Sequence, residues 1–110
     1  MIIRRGDIVI VDFGNRFGCE TDGIRPAVIL QNDVGNEHSP TTIVAPFTAK
    51  SPKGDELPVH YKGVNLKKES MLLLEQITTI DKKKVLGLLG HLENKTMKEI
   101  NEKIMISLAL

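Results

Sequence analysis

The chain has 110 residues, 41% of them apolar and 26% charged, with a formal net charge of +1. This is one domain's worth of protein, and its balanced charge excludes a disordered chain and a histone-like or tail-driven nucleic-acid binder. A single cysteine, Cys19, cannot close an internal disulfide and fits a reducing cytoplasm, and no apolar run nears the ~20 residues that span a bilayer.

Met1-Ile2-Ile3-Arg4-Arg5 meets Asp7 at once and has no signal-peptide core, so no leader is expected. Asp7 to Phe13 is short and β-branched, with apolar residues on both faces, which predicts a strand. Gly14 to Gly23 has three glycines, two acids and no period, which predicts a mobile loop of a length often tied to function. Pro26 to Leu30 reads as a second strand, and Pro26 drives Arg25 into extended geometry. Asn32 to Pro40 is turn chemistry, and Thr41 to Phe47 is a third strand in which Pro46 suggests an edge or a bulge. A polar loop over Ala49 to Glu56 precedes candidate strands at Leu57–Tyr61, Ser70–Leu74 and Leu86–Leu92, the last equally compatible with a helix. Asp81 to Lys84 is a turn or a short helical piece. Met97, Ile100, Ile104, Met105 and Leu108 recur at helical spacing, with Asn94 or Thr96 as cap and Thr96/Glu99 as a capping box. The sum is a single domain over residues 1–110, mainly β, with a small curled antiparallel sheet and a C-terminal helix on it.

Among chemical constellations, His38, His60 and His91 lie far apart and match no metal-ligand spacing, so no metal site is expected. Cys19 sits beside Glu20 and Asp22, which disfavours a thiolate nucleophile. No glycine-rich phosphate loop and no nucleophile elbow is present, so no nucleotide cofactor is expected. Arg25, fixed at a strand start, can fork onto a phosphate or form a structural ion pair to Glu20 or Asp22, the commoner arrangement for such a residue. Phe17, an aromatic in a flexible loop, is either a base-contacting residue or an anchor folded back onto the body. Thr48 is a polar group at a strand end. Lys50, Lys53, Lys62, Lys67 and Lys68, with Lys82-Lys83-Lys84, form two basic stretches. Each is an ordinary solvated face or the flank of a phosphate-tracking groove.

Several segments together carry a resemblance: Arg4-Arg5-Gly6-Asp7-Ile8-Val9; Gly23-Ile24-Arg25-Pro26-Ala27-Val28-Ile29-Leu30-Gln31-Asn32-Asp33; Ser39-Pro40-Thr41; Ile43-Val44-Ala45 with Thr48; Leu72 to Asp81; and Ile106-Ser107-Leu108-Ala109-Leu110. In this order, over nearly the whole chain, they resemble the MazF/PemK family of toxin endoribonucleases, in the form found in Gram-positive bacteria. The resemblance implies a small SH3-like β-barrel of the CcdB/MazF/Kid toxin type and a cytoplasmic homodimer. It implies metal-independent, cofactor-free cleavage of single-stranded RNA at a short sequence, and a cognate MazE-like antitoxin that blocks the RNA groove. The family's catalytic arginine and threonine fall on Arg25 and Thr48, and its mobile gate on residues 14–23. RNA supplies its own nucleophile, the 2′-OH, so such an enzyme needs alignment and charge stabilisation and should leave 2′,3′-cyclic phosphate and 5′-OH ends. Glu20 is the candidate general base, and Phe17, Gln76, Lys50 and Lys53 are candidate RNA-binding residues. An ACA core for the site is analogy with relatives.

Two rivals from other classes are weighed against this. A gyrase-poisoning toxin of the CcdB kind shares the barrel but ends in Trp-Gly-Ile, whereas this chain has no tryptophan and ends Leu108-Ala109-Leu110. A non-catalytic single-stranded RNA-binding module would rely on stacking, and four aromatics offer a small platform.

Overall fold

The computed structural model describes residues 1–49, 57–64, 66 and 70–110. Lys50, Lys53, Lys67 and Lys68 therefore lie outside the described residues. Strands β1 (Asp7–Asp12) and β2 (Ile24–Ile29) are followed by a short helix α1 (Asp33–His38) and a long strand β3 (Thr41–Ala49). Then come β4 (His60–Tyr61), β5 (Ser70–Leu73), β6 (Thr78–Asp81), a 3-10 turn (Lys82–Lys84), β7 (Val85–His91) and helix α2 (Asn94–Leu108).

The strands form one antiparallel sheet in the order β4-β5-β3-β2-β1-β7, with β6 also on β3. β3 changes partner along one edge, pairing with β6 through Thr41–Val44 and with β5 through Phe47–Ala49. Pro46 falls at that change, where neither β5 nor β6 needs its missing N–H, so a proline sits buried inside a central strand. Two register shifts between β1 and β7 bend the other end of the sheet, the local effect expected of bulges.

Both faces of the sheet are covered, which explains the two-sided apolar pattern of β1. Val28, Ala45, Phe47 and Leu72 meet Met97 and Ile100 of α2 on one side. Val9, Val11, Phe13, Ala27, Ile29 and Val44 pack together on the other. Ile100 is fully buried, so Ile100→Ala would cost about 2–5 kcal/mol. Tyr61 reaches Glu99 of α2 with its hydroxyl. Burial and that carboxylate push its pKa up to about 12. Arg5 links β2 to α2, donating from Nε to the Leu30 carbonyl (2.9 Å) and from Nη2 to Asn101 Oδ1 (2.6 Å).

Several expectations are corrected. Residues 33–38 are helical rather than a plain turn, because Asn32 caps them by accepting from Gly35 N–H (2.8 Å). Of the two readings open for Leu86–Leu92, the strand is the one that forms, as residues 85–91, since the edge of β1 offers them a ladder. β6 is not among the expected strands, although Thr78-Thr79-Ile80 is a β-branched run, and it pairs with the part of β3 that β5 does not cover. α2 begins two residues before Thr96, with Glu93 at its cap position and no side-chain capping bond, so the capping box does not form. Met105 and Leu108, counted with the helix's apolar positions, are exposed.

The 14–23 loop is tied down rather than loose. Gly14 and Gly23 both adopt positive φ (68° and 72°), and Gly23 N–H donates to the Gly14 carbonyl (2.8 Å), closing the base of the loop. That conformation strains any residue with a Cβ. Higher up, Thr21 donates from its backbone N–H (2.6 Å) and its hydroxyl (2.7 Å) to Gln76 Oε1, and Gln76 Nε2 donates to the Cys19 carbonyl (3.2 Å).

Candidate active site

β2 and β3 build the site by register. Ala27 faces Pro46 and Ile29 faces Val44, and the same register continued by two residues sets Arg25 against Thr48. Phe47 points into the helix-covered core, so alternation turns Thr48 to the opposite side. Arg25 shares its side with Ala27 and Ile29, which pack with Val44 in the other core cluster. Two residues separated by a turn, a helix and most of a strand thus meet just beyond the last β2–β3 pair, Ala27 with Pro46. They line a cavity of about 460 Å³ together with Asp22, Ile24, Leu66 and Ser70.

The ion-pair reading of Arg25 is overturned by its geometry. Arg25 donates from Nε to the backbone carbonyl of Asp22 (2.8 Å), and among the described residues no carboxylate pairs with the guanidinium. The turn through Gly23 brings that carbonyl back over the strand start. A carbonyl aims the guanidinium without neutralising it. Among the described residues the two Nη groups have no partner, the arrangement that suits a bidentate grip on a phosphate.

A second cavity, about 520 Å³, lies on the other flank of the loop, lined by Arg16, Cys19, Glu20, Glu75, Gln76, Ile77 and Thr78. Glu20 lies here and not with Arg25 and Thr48. Its Oε2 accepts from the Phe17 N–H (3.0 Å), and its Oε1 lies 3.8 Å from Arg16 Nη2. Gln76 also lines this cavity, but its amide is engaged in holding Thr21 and Cys19. Phe17 stands on the loop 91% exposed, which removes the anchor reading and leaves an aromatic face open to a partner. Lys62 lies beside β4, and Lys82 donates from Nζ to the Asn36 carbonyl, away from both cavities.

The histidines do not converge. His38 is exposed near Glu37, His60 pairs with Glu75 (2.5 Å) and His91 with Asp7 (2.6 Å). Among the described residues no group of three His, Cys, Asp or Glu side chains could hold a metal ion.

Three positions were not singled out for the site from the sequence. Asp22 lines the first cavity, and its only signal was its closeness to Arg25. Glu75 lines the second, and a charged residue directly after Leu72-Leu73-Leu74 was a usable clue. His60 contacts Glu75 across a connection that no local pattern encodes.

Comparisons with known proteins agree with this architecture. Residues 4–108 match the family model described as a PemK-like, MazF-like toxin of type II toxin-antitoxin systems. The chain is 42% identical over 114 residues to Endoribonuclease EndoA of Bacillus subtilis (strain 168), covering 100% of this chain and 97% of that protein. The crystal structure of MazF from Deinococcus radiodurans superposes with a TM-score of 0.84 at 19% identity, over 100% of this chain and 99% of that one. A mycobacterial endoribonuclease in complex with its cognate antitoxin gives a TM-score of 0.80 at 22% identity, over 98% of this chain and 96% of that one. At these identities the two structures speak for the fold, the small barrel of the MazF toxins.

Proposed function

The chain belongs to the PemK-like, MazF-like toxin family and is an endoribonuclease toxin of a toxin–antitoxin system, and we propose that it cuts single-stranded RNA by attack of the 2′-OH on the adjacent phosphorus. The observation that carries this reading is the unneutralised Arg25 guanidinium beside Thr48 in one open cavity. In-line attack builds negative charge on a phosphorane. Arg25 stabilises that charge through its Nη groups, and Thr48 donates its hydroxyl to a phosphate oxygen. Products are a 2′,3′-cyclic phosphate and a 5′-OH, and the reaction needs no metal or cofactor.

Asp22, the one acidic residue lining this cavity among the described residues, is better situated than Glu20 to accept the 2′-OH proton. Phe17 stacks on an unpaired base, and Gln76 serves RNA binding by fixing the loop rather than by reading a base. Lys50 and Lys53, which follow Thr48 in sequence, track the phosphate backbone. The chain works in the cytoplasm as a homodimer. Leu86, Leu88 and Leu89 on the edge strand β7, with Met105, Ile106 and Leu108 on α2, expose the apolar surface a second copy would cover. A labile MazE-like antitoxin neutralises it by covering the RNA groove.

The test is cleavage of a mixed transcript in EDTA by wild type and Arg25→Ala. Wild type should cut to cyclic-phosphate ends, and Arg25→Ala should lose about 10²–10³-fold or more in rate. Arg25→Lys should recover little, because a point charge lacks the fork. Near wild-type cutting by Arg25→Ala would overturn the mechanism. Binding without any cleavage would favour the non-catalytic RNA module.

A further inference from the structure

The second cavity differs in character from the one that holds Arg25. Its charged lining is one guanidinium, Arg16, against two carboxylates, Glu20 and Glu75. A pocket with surplus negative charge does not seat a phosphodiester. It accepts the part of a nucleotide that offers hydrogen-bond donors, which is a base edge.

The polar atoms of its wall are mostly engaged. Gln76 Oε1 takes two bonds from Thr21, and Gln76 Nε2 donates to Cys19. Glu20 Oε2 takes the Phe17 N–H, and Arg16 Nη2 lies 3.3 Å from the Thr78 hydroxyl. Glu75 keeps one open acceptor, as Arg16 keeps its Nε and Nη1 donors, among the described residues. Its Oε2 meets His60 Nε2 at 2.5 Å, while its Oε1 has no partner among the described residues.

His60 holds that carboxylate in one orientation. Its Nδ1 accepts the Leu57 N–H (3.1 Å), so the ring proton resides on Nε2, and Nε2 donates to Glu75. The His60 side chain is only 7% exposed, so the ring has little freedom to turn. The result is an aimed acceptor at the wall of a base-sized cavity.

We propose that Glu75, positioned by His60, selects an RNA base bearing an exocyclic amino group at one position of the cleavage site. A carboxylate accepts only, so it rewards the amino group of adenine, cytosine or guanine and repels a carbonyl at the same point. His60 is a positioning residue, and neither residue touches the reacting phosphate. This assignment rests on the endoribonuclease reading.

The experiment starts from the cut sites of the wild-type protein, mapped by sequencing RNA ends. Fluorescein-labelled oligonucleotides of that sequence, made uncleavable by a 2′-deoxy sugar at the cut, then carry single replacements of adenine by hypoxanthine, cytosine by uracil, or guanine by hypoxanthine. Anisotropy gives Kd for each. At one position the wild-type protein should lose roughly ten- to hundredfold in affinity when the amino group is removed. Glu75→Gln should abolish that preference, and should reverse it where a carbonyl replaces the amino group. His60 Nε2–H would hold the amide oxygen and turn the amide N–H₂ towards the base. His60→Leu should bring the discrimination below about threefold, and His60→Gln, which retains a donor towards Glu75, should restore most of it.

Wild-type protein that binds and cuts RNA with no amino-dependent position would overturn the proposal without any variant. So would a Glu75→Gln protein with wild-type discrimination at every position. Wild-type protein that neither binds nor cuts RNA would instead sink the endoribonuclease reading on which the proposal stands.

Discussion

Gln76→Ala tests whether the 14–23 loop is held by a latch. Three hydrogen bonds join this side chain to the loop, two from Thr21 and one to the Cys19 carbonyl. Each contributes about 1 kcal/mol net, and Thr21 is buried, so its N–H is poorly compensated by water when Gln76 is cut back. Allowing for partial hydration of the exposed Cys19 end, the closed loop should lose about 2 kcal/mol, which is roughly a 30-fold gain in the open population. Hydrogen exchange followed by mass spectrometry or NMR should then show the amides from Cys19 to Asp22 exchanging about 30-fold faster. Val9 and Val28, in the sheet core, should keep their protection, apart from any common shift that reports global stability. Gln76→Glu retains an acceptor for Thr21 but loses the donor to Cys19, and should fall between the two. Loop amides that stay within about threefold of wild type in Gln76→Ala would refute the latch. The same variant should raise KM more than it lowers kcat, because the loop walls both cavities while Arg25 and Thr48 remain on the sheet.

Thr48→Ala should slow cleavage severely, though less than Arg25→Ala, because one neutral donor is worth less than a charged fork; an unchanged single-turnover rate would reduce Thr48 to a strand residue. Asp22→Asn should lower kcat by about 10²-fold if Asp22 accepts the proton, whereas Glu20→Gln should act mainly on KM; the reverse pattern in steady-state kinetics would return the base to Glu20. Light scattering after size exclusion should give about twice the 12.2 kDa chain mass, and Leu88→Glu should shift it towards the monomer. Tyr61 has a raised pKa, so the unfolded chain releases this proton first. Its stabilising contribution is therefore complete below pH 10 and is lost between pH 10 and about 12. Tyr61→Phe should flatten the alkaline limb of a denaturation-against-pH curve over that interval, and an unaltered slope would rule out Tyr61, raised by burial and by Glu99, as the group that titrates there.

The local signals in the sequence reached a definite distance. Short β-branched apolar runs located β1, β2 and β3, and the helical spacing of Met97, Ile100 and Ile104 located α2. Pro26 announced that Arg25 starts a strand in extended geometry. The ordered set of segments pointed to the family. What local pattern could not carry was anything decided by pairing. β6 exists because β3 outruns β5, and residues 85–91 became a strand because β1 had an edge to fill. Pro46 signals an edge or a bulge in sequence, yet it is buried in a central strand because the partner changes there. Arg25 and Thr48 are separate candidates in sequence, and only the packing of β2 against β3 brings them to one cavity. Glu20 and Asp22 looked interchangeable, two residues apart on one loop. The turn at Gly23 sends Asp22 towards the arginine cavity and leaves Glu20 on the far flank. Sequence fixes which side chains can hold a charge or a proton; cross-strand register and loop geometry decide which of them share a cavity, because those depend on contacts tens of residues apart that no local period encodes.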